Sequence, residues 1–178
     1  MTKTQYYVAA SLDGFIADRE HRLDWLLSLG MPADVKAHYE AFLAGVGAIA
    51  MGAKTYEFVL GMGGEWPYAG LPTWVFTHRN LPRVPGADLR FTDADVGTVH
   101  TAMVEAAAGR NVWLVGGGEL VAGFARRGLL DELWLGVVPV ILGSGIPLLP
   151  ARLPGPLALE AVTRFEGGLV ELRYRVPR

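Results

Sequence analysis

The residue groups best suited to chemistry sit where apolar runs give way to glycine or polar turns. Gly116-Gly117-Gly118-Glu119-Leu120 follows the apolar run Val112-Trp113-Leu114-Val115 and opens a helix. Backbone N–H groups at a helix start point outward with the positive end of the helix dipole, and glycines let a phosphate approach closely. A pyrophosphate suits such a turn; a tight connection that needs positive φ at glycine is the plainer reading of the same residues. Gly52-Ala53-Lys54-Thr55 is a second strand-to-helix turn. There Thr55 offers a helix cap and a hydroxyl, and Lys54 a positive charge; an ordinary capped helix with a solvated lysine is the alternative. Thr77-His78-Arg79 lies just past a third apolar run, Thr73 to Thr77. This puts a hydroxyl, an imidazole and a guanidinium at the carboxyl end of a strand, where open α/β sheets bind ligands. Arg79 with Lys54 suits an additional phosphate, against the alternative of a polar surface loop.

Two acids stand at comparable breaks. Asp13, in Ser11-Leu12-Asp13-Gly14, ends the first apolar run and fits an Asx turn before the glycine. Asp34, in Pro32-Ala33-Asp34, fits the cap of a helix start.

Much other chemistry is excluded. There is no cysteine, hence no thiol nucleophile, disulfide framework, iron–sulfur cluster or thiolate zinc site. His21, His38, His78 and His100 show no metal-ligand spacing, so no metal site is expected. No G-x-S-x-G elbow and no Gly-Lys-Ser/Thr phosphate loop is present, and the first strand lacks the G-x-G-x-x-G dinucleotide fingerprint. With 16 Lys and Arg against 18 Asp and Glu, the chain gives no electrostatic reason to bind nucleic acid. The longest apolar stretch, Leu133 to Leu142, is interrupted by Gly136 and Pro139 and falls short of the roughly 20 residues of a membrane helix. Met1 runs directly into Tyr6-Tyr7-Val8-Ala9-Ala10 without a leader pattern. A cytoplasmic protein with no membrane partner is the expectation.

Positioning these turns requires alternating strands and helices. Tyr6–Ala10, Ala48–Met51, Thr73–Thr77, Asp88–Phe91 and Val112–Val115 read as strands, and Asp131–Leu142 as a long strand kinked at Pro139. Val35, Tyr39, Phe42, Leu43 and Val46 recur at helical spacing after Pro32-Ala33-Asp34. Short helices are expected at Asp24–Leu27 and Thr55–Leu60, and longer ones at Val96–Ala108 and Glu119–Arg127. Leu157–Phe165 and Leu169–Val176 flank Glu166-Gly167-Gly168 and predict a terminal hairpin. Alternation with short loops implies an α/β fold with a largely parallel sheet and helices on both faces. At 178 residues and 51% hydrophobic, the chain suits a single domain over 1–178 with a full core. Only 19% of residues are charged. The apolar excess gathers in Leu133–Leu142, Ile146–Leu149 and the hairpin, which predicts a homodimer joined through the C-terminal strands.

Taken in order, these segments resemble the dihydrofolate reductase fold family, and most closely its branch containing the reductase domain of bifunctional riboflavin-biosynthesis enzymes, the RibD C-terminal domain. The matching segments are Val8 to Ala17, Leu23-Asp24-Trp25-Leu26, Met51 to Glu57, Val75 to Arg79, Val115 to Leu120 and Pro139 to Leu148. The resemblance implies a three-layer α/β/α fold with a mostly parallel sheet, a C-terminal antiparallel hairpin, and NADPH laid across the carboxyl ends of the strands. It implies that Gly52, Lys54 and Thr55 contact the cofactor phosphates, and that Thr77, His78 and Arg79 hold the adenosine 2′-phosphate. Gly116, Gly117, Gly118, Glu119 and Leu120 would cradle the pyrophosphate, and Ala10 and Ile16 would border the nicotinamide. Ala53 departs from the basic residue common there, leaving compensation to Lys54 or Arg79.

The implied activity is hydride transfer from NADPH to a small heterocyclic, pterin-like or pyrimidine-like substrate. Asp13 is the implied proton-handling residue, in a motif shared with the riboflavin-type reductases. Asp34 resembles the substrate-binding acid of dihydrofolate reductases, with helix capping as its competing explanation. A module that binds NADPH without turnover is the alternative function.

Overall fold

The computed structural model describes residues 1–177. Its centre is β1 (Thr4–Ser11), flanked in parallel by β6 (Asn111–Gly116) and β7 (Glu132–Val138). Beyond β6 follow β3 (Val46–Gly52), β4 (Thr73–Phe76) and β5 (Leu89–Thr92), all parallel. Beyond β7 the sheet turns antiparallel with β10 (Val170–Arg175) and ends on β9 (Ala158–Arg164). The order β5-β4-β3-β6-β1-β7-β10-β9 makes eight strands, six of them parallel. The expected α/β architecture, parallel sheet and terminal hairpin are therefore present.

Helices cover both faces. On one, α4 (Val96–Ala106) and α5 (Gly118–Arg126) pack Val99, Met103, Val121 and Phe124 against Tyr6, Ala48, Val112 and Leu114. On the other, α2 (Ala33–Ala44) and α3 (Ala53–Gly61) pack Phe42, Tyr56 and Val59 against Ile49, Met51, Val75 and Trp113. A short helix, α1 (Asp24–Leu27), precedes α2. β3 is buried at six of its seven positions, which is why it reads as a continuous apolar run: an inner parallel strand has helices on both sides.

Three local expectations are corrected. The long strand stops at Val138, because Pro139 has no N–H for the ladder. The chain then folds over the 11–17 segment, where the short strands β2 (Phe15–Ala17) and β8 (Ile146–Pro147) pair. Leu12 N–H donates to Val140 O (2.8 Å) and Leu148 N–H to Gly14 O (3.0 Å). Thr55 does not cap α3, which begins at Ala53 with Gly52 as its cap. Asp34 does not cap α2 either: Pro32 holds the cap position, and a proline there commits no N–H that the helix would leave unpaired.

The connections divide at one place. From β3 the chain passes through α3 to β4, toward one edge; from β6 it passes through α5 to β7, toward the other. β3 and β6 are neighbours, so the crevice outside their carboxyl ends is the topological switch point where open α/β sheets take ligands.

Candidate functional site

At the switch point the two glycine turns meet. A Cβ built on Gly52 would lie 3.8 Å from Gly117 N, and one on Gly116 would lie 3.6 Å from the Thr55 hydroxyl. The starts of α3 and α5 thus share one crevice, with Thr55 Oγ1 between them. The Gly116–Gly117 peptide is cis. A Cβ on Gly117 would meet nothing within 4 Å, so the space above this turn is open. Gly118 differs: its Cβ would stand 2.8 Å from Pro147 O and 2.9 Å from Leu148 O. Its missing side chain admits the 147–148 backbone against α5. Glu119 projects into solvent, and Leu120 packs toward the core.

The basic groups beside this crevice already have acidic neighbours. Arg79 donates from both terminal nitrogens to Glu57, each at 2.9 Å. That bond lowers the Glu57 pKa and raises that of Arg79. His78 Nδ1 lies 3.6 Å from Asp93, both strongly exposed. Lys54 is exposed at the start of α3. Thr77 accepts at Oγ1 from the Arg79 backbone N–H (3.0 Å) and shapes the turn.

The two candidate acids are both engaged by backbone. Asp13 accepts from the Ser11 hydroxyl (2.7 Å) and from the N–H groups of Leu142 (3.1 Å) and Gly143 (2.7 Å). The Ser11 hydroxyl, helped by those two N–H groups, holds its carboxyl below the ordinary range. Asp34 accepts from Val35 N–H (2.8 Å) and Glu166 N–H (2.9 Å), clipping the β9–β10 turn to α2. Ala10 is buried in β1, and Ile16 is half-buried in β2.

Beneath α2 lies a cavity of about 490 Å³. Its floor is β1, β6, β7 and β10, through Tyr7, Ala9, Trp113, Gly136 and Glu171; Leu26 to Val35 roof it from α1 and the start of α2. Ala9, Gly136 and Glu171 are register partners across β1, β7 and β10. One methyl and one bare Cα leave a hollow beside the carboxylate. Glu171 is 3% exposed. His38, from α2, donates through Nε2 to its Oε1 at 2.9 Å. Burial raises the Tyr7 phenol pKa, and Glu171, through its charge and a side-chain interaction with the phenol, raises it further. Sequence reading singled out neither Glu171 nor a role for His38. The available signal was Gly136, a glycine inside a strand, which marks a close approach or a hollow. Trp66 is not in the cavity wall; it packs on Tyr56 and Tyr68.

Among the described residues no cluster of acids and histidines could hold a metal ion, and no helix is long and apolar enough to cross a membrane.

This arrangement has relatives. Residues 66–169 match the family model of the RibD C-terminal domain. A Bacillus subtilis (strain 168) protein, YwjB, is 35% identical over 179 residues, covering 97% of both chains. The chain belongs to the RibD C-terminal domain family. Among solved structures, a Shewanella sp. PV-4 protein assigned provisionally to riboflavin biosynthesis superposes with a TM-score of 0.79 at 27% identity, covering 99% of this chain and 100% of that one. A pyrimidine reductase-like protein from Corynebacterium diphtheriae gives a TM-score of 0.66 at 17% identity, covering 99% and 92%. RibD C-terminal domains are reductase domains, and this chain has their dihydrofolate reductase-like fold.

The cofactor that the family implies can be tested against these residues. The open space over Gly117 and the paired helix starts fit a pyrophosphate. The Thr77–Arg79 turn offers the Arg79 guanidinium and the His78 ring to a 2′-phosphate, but Glu57 already pairs with Arg79 and Asp93 lies beside His78.

Proposed function

We propose that the chain works over its whole length as a single reductase domain. It would pass hydride from NADPH to a small planar heterocycle of the pterin or pyrimidine class. One observation carries this reading. β6 joins an open, glycine-lined crevice at Gly116–Gly117 to an apolar, aromatic-walled cavity at Trp113. Three residues of strand, roughly 10 Å, separate them. The riboflavin-linked and pyrimidine reductase-like neighbours support the substrate class.

NADPH, when bound, supplies the hydride. The protein's part is placement. N–H groups at the starts of α3 and α5, with Gly52, Lys54, Thr55 and Gly116 to Leu120, would hold the pyrophosphate. Arg79, His78 and Thr77 would hold the 2′-phosphate after Arg79 exchanges Glu57 for it. Ala10 and Ile16 would flank the nicotinamide. Tyr7, Tyr39 and Trp113 would orient the substrate ring, and Leu26 to Met31 would exclude water. Asp13 would act as a positioning residue, fixing the 142–143 backbone, and Asp34 would hold the β9–β10 turn against α2.

The test is a fluorescence titration with NADPH and NADH, followed by NADPH oxidation with pterins and pyrimidines. NADPH is expected to bind more tightly than NADH. Gly117→Ala should weaken both by about ten-fold or more by filling the space over the helix start. Glu57→Gln should strengthen NADPH binding alone by freeing Arg79. A wild-type protein that binds neither nucleotide overturns the reading. NADPH binding without any oxidation leaves a non-catalytic binding module instead.

We also propose a homodimer through the C-terminal strands. β9 is the sheet edge and carries Leu159 and Val162, each more than half exposed, a surface that invites pairing. A monomeric mass in solution overturns it.

A further inference from the structure

The opening of the cavity beneath α2 sorts ligands by the charge of what they carry. The hollow measures about 490 Å³, a size that encloses a small molecule. Its exposed lining residues mark where a substituent on a bound ring would leave: Leu27, Leu29, Met31 and Pro139, two glycines, and Glu166. Among the described residues no Lys or Arg lines the cavity. His38 reaches the floor from α2 but is engaged by Glu171 at 2.9 Å. Lys36, the lysine of α2, is exposed and lies 3.8 Å from Glu40. The Asp34 carboxylate accepts from the Glu166 backbone N–H at 2.9 Å, so a second acid stands at the same edge.

We infer that this cavity takes an uncharged planar ring with an apolar substituent, and that Glu166 is the specificity residue that turns phosphorylated substrates away. A phosphate leaving the cavity would pass Glu166 and Asp34 and meet no cation in the lining. A cleft with low-dielectric walls and one sign of charge concentrates that field. An alkyl or aryl substituent would instead cover Leu27, Leu29 and Met31, each more than half exposed, and take their surface out of water. Repulsion of one ligand and burial against the other work toward the same preference. The inference rests on the cavity being the substrate site of the proposed reductase and narrows that substrate. It selects against phosphoribosylated pyrimidines. Glu166 acts by charge at the opening, away from the reacting atoms.

The experiment is fluorescence titration of the full chain, without nucleotide, with two pterins of matched length. 6-Pentylpterin ends in a methyl group and 6-(4-phosphonobutyl)pterin in a phosphonate. The pentyl compound is expected to bind about ten-fold or more tightly. Glu166→Lys should raise the phosphonate affinity about five-fold relative to the pentyl affinity. A merely structural role for Glu166 would weaken both compounds together. Equal or tighter binding of the phosphonate by the wild-type protein, or an unchanged ratio in Glu166→Lys, overturns the inference. Binding of neither pterin overturns it as well.

If Glu166→Lys disturbs the turn that carries it, the wild-type protein decides by itself. Raising the ionic strength from about 0.01 M to about 0.15 M screens the repulsion and should narrow the gap between the two pterins. A phosphonate affinity that falls with salt reveals a cation in the site and overturns the assignment. Because no nucleotide is present, these results are separate from turnover. A protein that prefers the pentyl compound and never oxidises NADPH would refute the reductase and keep the charge selection. One that oxidises NADPH but prefers the phosphonate would do the reverse.

Discussion

Glu132 and Glu171 make an instructive pair. Both are almost wholly buried, on β7 and β10, on the face that α2 covers. Glu132 is surrounded by donors: Lys3, Gln5 Nε2 (2.7 Å), Trp134 Nε1 (2.9 Å) and an Arg173 terminal nitrogen (3.0 Å). Burial alone would raise its pKa, but those four bonds outweigh burial and bring it to about 2. Glu171 has one hydrogen bond, from His38, with the Tyr7 phenol close by and no partner in hydrogen-bond geometry at Oε2. Arg173, two residues further along β10, turns to Glu132 and stacks on Trp134 at 4.6 Å. A buried carboxylate ringed by donors is tied to the fold more firmly than one that meets a single histidine.

This contrast sets the expected effects. The largest is Glu132→Ala, which removes one side of a buried ion pair and should cost about 3–5 kcal/mol in urea unfolding. A loss below about 1 kcal/mol would erase the distinction between the two sites. Next is acid sensitivity. The Glu132 pKa falls from 4.5 in the unfolded chain to about 2 in the fold. Its contribution is therefore complete above pH 4.5 and disappears as pH falls toward 2, a loss of roughly 3 kcal/mol. Glu132→Gln should flatten stability over that window, and a curve as steep as the wild type's would contradict the assignment. Glu171→Leu should go the other way, leaving stability unchanged or raising it by about 1 kcal/mol, because it removes a carboxylate that folding does not fully bond. Smallest is Lys3→Ala. Lys3 is 45% exposed, so water replaces part of what it gives and the cost should be about 0.5–1 kcal/mol.

The same pair shows what could be read in the sequence. The parallel core was legible because Ala48–Met51 and Val112–Val115 are apolar on both faces, and the turns at Gly52 and Gly116 follow those strands directly. The C-terminal hairpin was legible as strands but not as a site. In Val170-Glu171-Leu172-Arg173-Tyr174-Arg175 the charges alternate as they do on a solvated face. That face is instead partly covered by α2, and the charges there pair with one another and with His38. Which acid meets which base depends on contacts more than 100 residues apart in the chain, as for His38 with Glu171. The β2–β8 pairing escaped because strands of three and two residues, one holding Pro147, have no periodicity to detect. Asp13 and Asp34 stood out by residue type, while their backbone partners at 142, 143 and 166 lie too far along the chain to be read locally.

The Asp13 tie braces the loop after β7. Its bonds to Leu142 and Gly143, with Leu12 to Val140 and Leu148 to Gly14, join the 11–17 and 138–148 segments into one body. Parting them means breaking these bonds together, at about 1 kcal/mol net for each. The cavity mouth at α1 is unlike this: Leu27, Leu29 and Met31 lie more than half exposed. One flank of the loop after β7 is thus pinned by backbone bonds, while the cavity mouth at α1 is floored with loose apolar side chains that can yield without breaking a hydrogen bond.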